Sequence, residues 1–155
     1  TLLELAGGEV PAFVQGQSFA GVLRGEPGPR RGEVFAEKNY HDQYDPIRAI
    51  RTDRYAYIRN LQPGTPPRLS GDIERSPSRR GLGADHFRAR PGEELYDLHE
   101  DPWQQRNLAD DASYAPVKAD LAARLTQWMD ETNDPALAGP VVAPSGTLDA
   151  GSVTR

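Results

Sequence analysis

The chain has 155 residues, 37% of them hydrophobic, with 14 prolines and 15 glycines, enough for one ordinary domain whose modest core is surrounded by irregular connection. It contains no cysteine, which excludes disulfide scaffolding, thiolate metal sites and cysteine nucleophiles and leaves the compartment open. A net charge of -5 argues against nucleic acid as the main partner, and no apolar run approaches the ~20 residues that span a bilayer, so no membrane partner is expected.

Thr1 to Ala6, followed by Gly7-Gly8, reads as the last turn or two of a helix, with glycine supplying the left-handed stop. The chain opens on Thr1 and its one methionine is Met129, so it is expected to begin inside a longer product. The opening stretch also lacks the basic flank and small-residue cleavage site of a signal peptide. Ser18 to Leu23 suits a short helical segment, capped by Ser18 and stopped by Gly25, ahead of the Pro/Gly-rich connector Glu26 to Gly32. Glu33 to His41 alternates as a strand does, and its apolar start gives way to a polar end. Arg48 to Thr52 and Arg54 to Asn60 predict an antiparallel hairpin with Asp53 at a tight turn.

Gln62 to Gly92 is rich in Pro, Gly, Ser and Arg and has no sustained period. Arg68, Arg75, Arg79, Arg80, Arg88 and Arg90 crowd it, either as solvated surface or as an anion-facing loop. Glu94 to Leu98 predicts a closing strand and His99 to Pro102 a turn. Between Tyr114 and Thr132, the residues Val117, Leu121, Leu125, Trp128 and Thr132 share one helical stripe, with Pro116 acceptable in the first turn. Asp110, Asp111 or Ser113 can cap this helix, Asp120 and Arg124 pair four apart, and Asn133-Asp134-Pro135 ends it. Ala136 to Arg155 is expected to lie over the surface or be disordered. The sum is an α+β fold, a small antiparallel sheet of about four strands packed against one long C-terminal amphipathic helix.

Four stretches in order, Thr1 to Gly25, Val34 to Asn60, Glu94 to Asp110 and the helix ending at Asp134-Pro135, resemble the C-terminal region of the sulfatase family. The densest likeness lies in FAEKNYHDQYDPIRAIRTDRYAYIRNL, joined by ELYDLHEDPWQQRNLADD and TLLELAGG. The Arg-bearing insertion and WMDETNDP tilt the likeness toward heparan N-sulfatase (sulfamidase)-like enzymes. The resemblance implies that residues 1–32 are the end of a catalytic-domain helix and its connector. It makes 33–135, with the Arg-rich insertion 62–92, the C-terminal subdomain of an alkaline-phosphatase-like enzyme, and leaves 136–155 as a tail. The implied partners are a missing N-terminal catalytic domain and a sulfated sugar substrate.

Family chemistry uses a formylglycine, made from Cys or Ser in a Cys/Ser-x-Pro-x-Arg motif, and calcium; both are expected in the missing catalytic domain and neither in this chain. Pro77-Ser78-Arg79 echoes that motif, yet Arg75 stands where Cys or Ser is needed. Asp110-Asp111 precede a helix and read as caps, since calcium wants about six to eight converging oxygens. No catalytic and no metal-binding residue is therefore assigned, and the chain is predicted to be inactive alone.

A sulfated sugar needs fixed cations for its charge and paired donors and acceptors for its hydroxyls. By the resemblance, a His-acid pair shortly before the step matching Pro46-Ile47-Arg48 faces the catalytic cleft, so His41 and Asp42, with Lys38 beside them, are the substrate-binding candidates. The plainer reading of His41 is a strand-end hydrogen bond. Tyr40 and Tyr44 either stack on a sugar or pack together. Arg48, Arg51 and Arg54 are expected to brace the hairpin or a domain interface, and His86 and His99 to lie on the surface. The alternative function is a non-catalytic module that binds a sulfated glycan or a partner protein.

Overall fold

Two compact units, Thr1–Gly32 and the part from Glu33 onward, make up the chain in the computed structural model, which describes residues 1–29, 31–41 and 44–141. In the first unit, α1 (Leu2–Leu5) and α2 (Ala20–Leu23) are single turns followed by glycines with left-handed backbone, Gly7 at φ 74° and Gly25 at φ 82°. The Gly7 and Gly8 N–H groups donate to the Glu4 and Leu3 carbonyls at 3.0 and 2.8 Å, which satisfies the last carbonyls of α1. Phe19, not Ser18, occupies the cap position of α2, although the Ser18 hydroxyl still accepts the Ala20 N–H at 3.2 Å.

The second unit runs β1 (Glu33–Tyr40), β2 (Tyr44–Thr52), β3 (Tyr55–Asn60), α3 (Gly71–Glu74), β4 (Glu93–Asp97) and α4 (Ala115–Glu131). Its four strands form one antiparallel sheet in the order β1-β2-β3-β4. The strand β2 starts four residues earlier than expected. Pro46, which cannot donate to a ladder, is accommodated because it lies beyond the last β2–β3 pair, Ile47 with Asn60, and close to the register irregularity between Lys38 and Tyr40.

Register decides which face each residue meets. Phe35, Ile50, Tyr57 and Leu95 fall on one line across the sheet and so share a face. That line is the floor on which α4 sets Leu121, Leu125 and Met129, with Leu108 and Ala109 from the β4–α4 connection closing the side. The Trp128 ring lies parallel to Phe35 at 5.0 Å between centroids. Burying each large side chain here is worth ~1.5 to 3 kcal/mol. Met129 takes the core position that the stripe assigned to Thr132, whose hydroxyl donates back to the Trp128 carbonyl at 2.8 Å.

The helix ends in a Schellman arrangement: Asn133 turns left-handed at φ 53°, its N–H donates to the Asp130 carbonyl, and the Asp134 N–H reaches the Met129 carbonyl at 2.8 Å. This cap delivers Asp134 to the sheet. Its carboxylate binds Arg48 in bidentate fashion, Nη2 to Oδ1 at 2.7 Å and Nε to Oδ2. Arg48 also donates to Asn39 Oδ1 at 2.8 Å and to the Lys38 and Ile47 carbonyls at 3.0 and 2.9 Å, with no exposed side-chain surface. At the other end of the sheet, Arg54 Nε and Nη2 donate to Asp97 Oδ2 at 3.1 and 2.9 Å. Arg48 and Arg54 thus brace the sheet.

The insertion is not structureless. It folds into α3 and two short 3-10 turns, Pro77–Gly81 and Ala84–Phe87. Arg79 is spent internally, donating to Glu74 at 3.1 Å and lying 4.2 Å over the Phe87 ring. Among the described residues, no helix is long and apolar enough to cross a membrane.

Candidate functional site

Residues an odd number of steps along their strand from the core line project from the opposite face of the sheet: Lys38 in β1, Glu94 and Tyr96 in β4. Together with the insertion they enclose a cavity of about 870 Å³. Lys38, His41, Arg68, His86, Arg88 and Arg90 line it, against the acidic Asp85 and Glu94, so its charge is predominantly positive. Part of the arginine cluster therefore faces a concave surface, while Arg79 does not.

The cations are held from behind. Lys38 Nζ donates to Asp45 Oδ2 at 2.6 Å and Arg90 Nη1 to Asp45 Oδ1 at 2.5 Å, so two positive heads share one carboxylate and the trio keeps a net positive charge. Burial pushes the Asp45 carboxyl up, but Lys38 and Arg90 outweigh it and hold the group below its ordinary value. Glu94 is occupied as well, accepting from Asn60 Nδ2 at 2.6 Å and from the Tyr96 hydroxyl at 2.5 Å. Burial and the Glu94 carboxylate both push the Tyr96 phenol up, which keeps it a neutral donor. Arg88 pairs with Asp85 at 2.7 Å on the outer edge.

Of the three substrate-binding candidates, Lys38 and His41 line this one cavity, and Asp42 lies outside the described residues. Tyr40 and Tyr44 pack together at 4.9 Å between centroids and clamp the chain beyond α4. The Tyr40 hydroxyl donates to the Val141 carbonyl at 2.8 Å, and the Val141 N–H donates to the Tyr44 hydroxyl at 3.2 Å. His99 and His86 are both exposed, as expected, and His86 also lines the cavity. Sequence reasoning missed Asp45, His86, Glu94 and Tyr96. The alternation of Glu94 and Tyr96 about the buried Leu95 was the available signal for the last two.

Among the described residues, no group of three or more His, Cys, Asp or Glu could hold a metal ion. The Asp111 carboxylate accepts from the Ser113 N–H and hydroxyl at 3.0 and 2.6 Å and so caps the turn that leads into α4. Arg75 stays where a formylglycine precursor would have to be.

No protein-family model matches the chain. Over 94% of its length it is 31% identical to an ulvan-active sulfatase of Formosa agariphila, and over 92% it is 27% identical to the human N-sulphoglucosamine sulphohydrolase. The solved structure of a 2-O GAG sulfatase superposes on 93% of it with a TM-score of 0.65 at 29% identity. The chain belongs to the sulfatase family. It spans 31% and 30% of the two relatives' lengths and 26% of the solved sulfatase, and corresponds to the sulfatase C-terminal region. The tilt toward sulfamidase-like enzymes is one part of a likeness that also takes in ulvan and GAG sulfatases. The sheet and long helix are the sulfatase fold expected for this region.

Proposed function

We propose that this chain is the accessory lobe of an enzyme that removes sulfate from a sulfated sugar, and that its cationic cavity forms one wall of the substrate pocket. Lys38, His41 and Asp42 are the substrate-contacting residues in this reading. The observation that carries it is the cavity itself, in which side chains from β1, the turn after it and the insertion converge with positive charge. An anionic, polyhydroxylated ligand suits such a surface, because ammonium and guanidinium groups make short charge-assisted hydrogen bonds to sulfate oxygens. His41 can donate to a sugar or sulfate oxygen, and Glu94 and the Tyr96 hydroxyl oxygen, ordered by their mutual hydrogen bond, give the floor acceptors for sugar hydroxyls.

The formylglycine and calcium of sulfatase chemistry belong, in this proposal, to the catalytic domain outside this chain. What these residues do is bind and orient. The test is sulfate release by the full-length protein from a panel of sulfated sugars, comparing wild type with His41→Ala and Lys38→Ala. Each substitution is expected to raise KM about tenfold, the cost of one charge-assisted hydrogen bond, with kcat changed less. Unchanged KM in both variants would remove this wall from the substrate pocket.

A further inference from the structure

Trp103 exposes 82% of its surface. The loop that carries it is well fastened: the Asp101 N–H donates to the Asp97 carbonyl at 2.7 Å, the Gln104 N–H to the Asp101 carbonyl at 3.1 Å, and the Arg106 N–H to Asp101 Oδ2 at 2.8 Å. Gln105 Nε2 closes the turn on the Trp103 carbonyl at 2.8 Å. Gln104 is held at φ 54°, a left-handed conformation that disfavours any residue with a Cβ. This backbone leaves the indole outward while the next two residues, Gln104 and Gln105, line the cationic cavity. An exposed indole on a fastened loop whose next two residues line a polar cavity is a candidate interaction surface.

The chemistry that meets here is specific. A pyranose ring offers an apolar C–H face and a rim of hydroxyls. The first matches the electron-rich face of an indole, and the second matches carboxamides, which donate and accept at once. Sulfate groups on the same molecule are matched by the cavity's cations. At about 870 Å³ the cavity lies in the upper part of the usual ligand-pocket range, more than one sugar ring fills.

We propose that residues 101–106 form a carbohydrate-stacking lip, in which Trp103 takes the face of a second sugar ring and Gln104 and Gln105 bind its hydroxyls, so that the ligand is an oligosaccharide segment of a sulfated glycan. This rests on the cavity being a sulfated-sugar pocket.

The test is isothermal titration of the full-length protein with glucosamine 6-sulfate and with heparin and ulvan tetrasaccharides, using wild type, Trp103→Ala and Trp103→Phe. Wild type is expected to bind a tetrasaccharide about tenfold more tightly than the monosaccharide; Trp103→Ala loses that preference, and Trp103→Phe keeps most of it. Monosaccharide affinity stays within about twofold throughout, since the indole does not touch the first ring. Two results overturn the lip alone: unchanged tetrasaccharide affinity in Trp103→Ala, or equal losses for both sugar lengths together with a lower melting temperature, which would place the indole under another part of the protein. A wild type that binds none of the three sugars overturns the cavity reading and the lip with it.

Discussion

Replacing Asp134 by alanine should unfold the chain at markedly lower urea, because it strands a guanidinium that has no access to water. Arg48 has 0% of its side chain exposed and Asp134 1%. Removing one member of a buried ion pair costs ~3 to 5 kcal/mol. Arg48 keeps three acceptors, from Asn39, Lys38 and Ile47, and Glu37 lies 3.8 Å from its Nε, which places the loss near the lower end, ~3 kcal/mol. The same substitution deletes the acceptor for the Ala136 N–H, held at 2.9 Å, for about 1 kcal/mol more. With a urea m-value of about 2 kcal/mol/M, the midpoint should fall by about 2 M. The double variant Arg48→Met/Asp134→Leu removes both charges and should recover to within roughly 1 kcal/mol of wild type. A midpoint shift under about 0.5 M for Asp134→Ala, or a double variant worse than the single, would refute the reasoning. The pH dependence has a fixed sign. The hydrogen bond from Arg48 holds the Asp134 carboxyl below its ordinary value of 3.8, so the pair stabilises fully above that value and fades as pH falls through the folded one. The gap between wild type and Asp134→Ala should therefore close in acid.

Asp45→Asn takes a negative charge from behind the cavity, so heparin-column retention should increase while KM for the sulfated sugar rises several-fold, Lys38 and Arg90 having lost their common anchor; an unchanged KM would deny Asp45 a positioning role. Arg68→Ala and Arg88→Ala should lower the salt needed to elute from heparin, whereas Arg79→Ala, already occupied by Glu74 and Phe87, should leave it unchanged. Trp128→Ala removes the stacked partner of Phe35 and should cost about 3 kcal/mol in urea unfolding. Asn133→Gly relieves the left-handed residue that ends α4 and should raise stability by about 0.5 kcal/mol, while Asn133→Val should lower it.

What could be read from the residues was whatever repeats. The two-residue alternation of β1 and β3 and the stripe through Leu121 and Leu125 located the sheet and helix within a residue or two. Pro46 concealed the start of β2, since its acceptability depends on where β3 stops. Asp134 was legible as a helix end but not as the partner of Arg48, because 86 residues separate them and only the packed sheet joins them. The cavity was half visible. Lys38 and His41 follow from the polar end of β1 and from the resemblance, whereas Arg90, His86 and the anchor Asp45 depend on how the insertion lies over the sheet. Cationic surface and cationic cavity have the same composition, and composition was all the arginine cluster offered.

The strands β3 and β4 are immediate neighbours in the sheet, although the whole insertion separates them in sequence. The entropy of closing such an excursion grows only with the logarithm of its length, about 0.6 kcal/mol per doubling, and the core on the other side of the sheet never touches it. The excursion is thus a replaceable module. Relatives could lengthen, shorten or recharge it, and so, if the cavity is the proposed sugar pocket, change which glycan fits, while leaving the hydrophobic core of the lobe as it is.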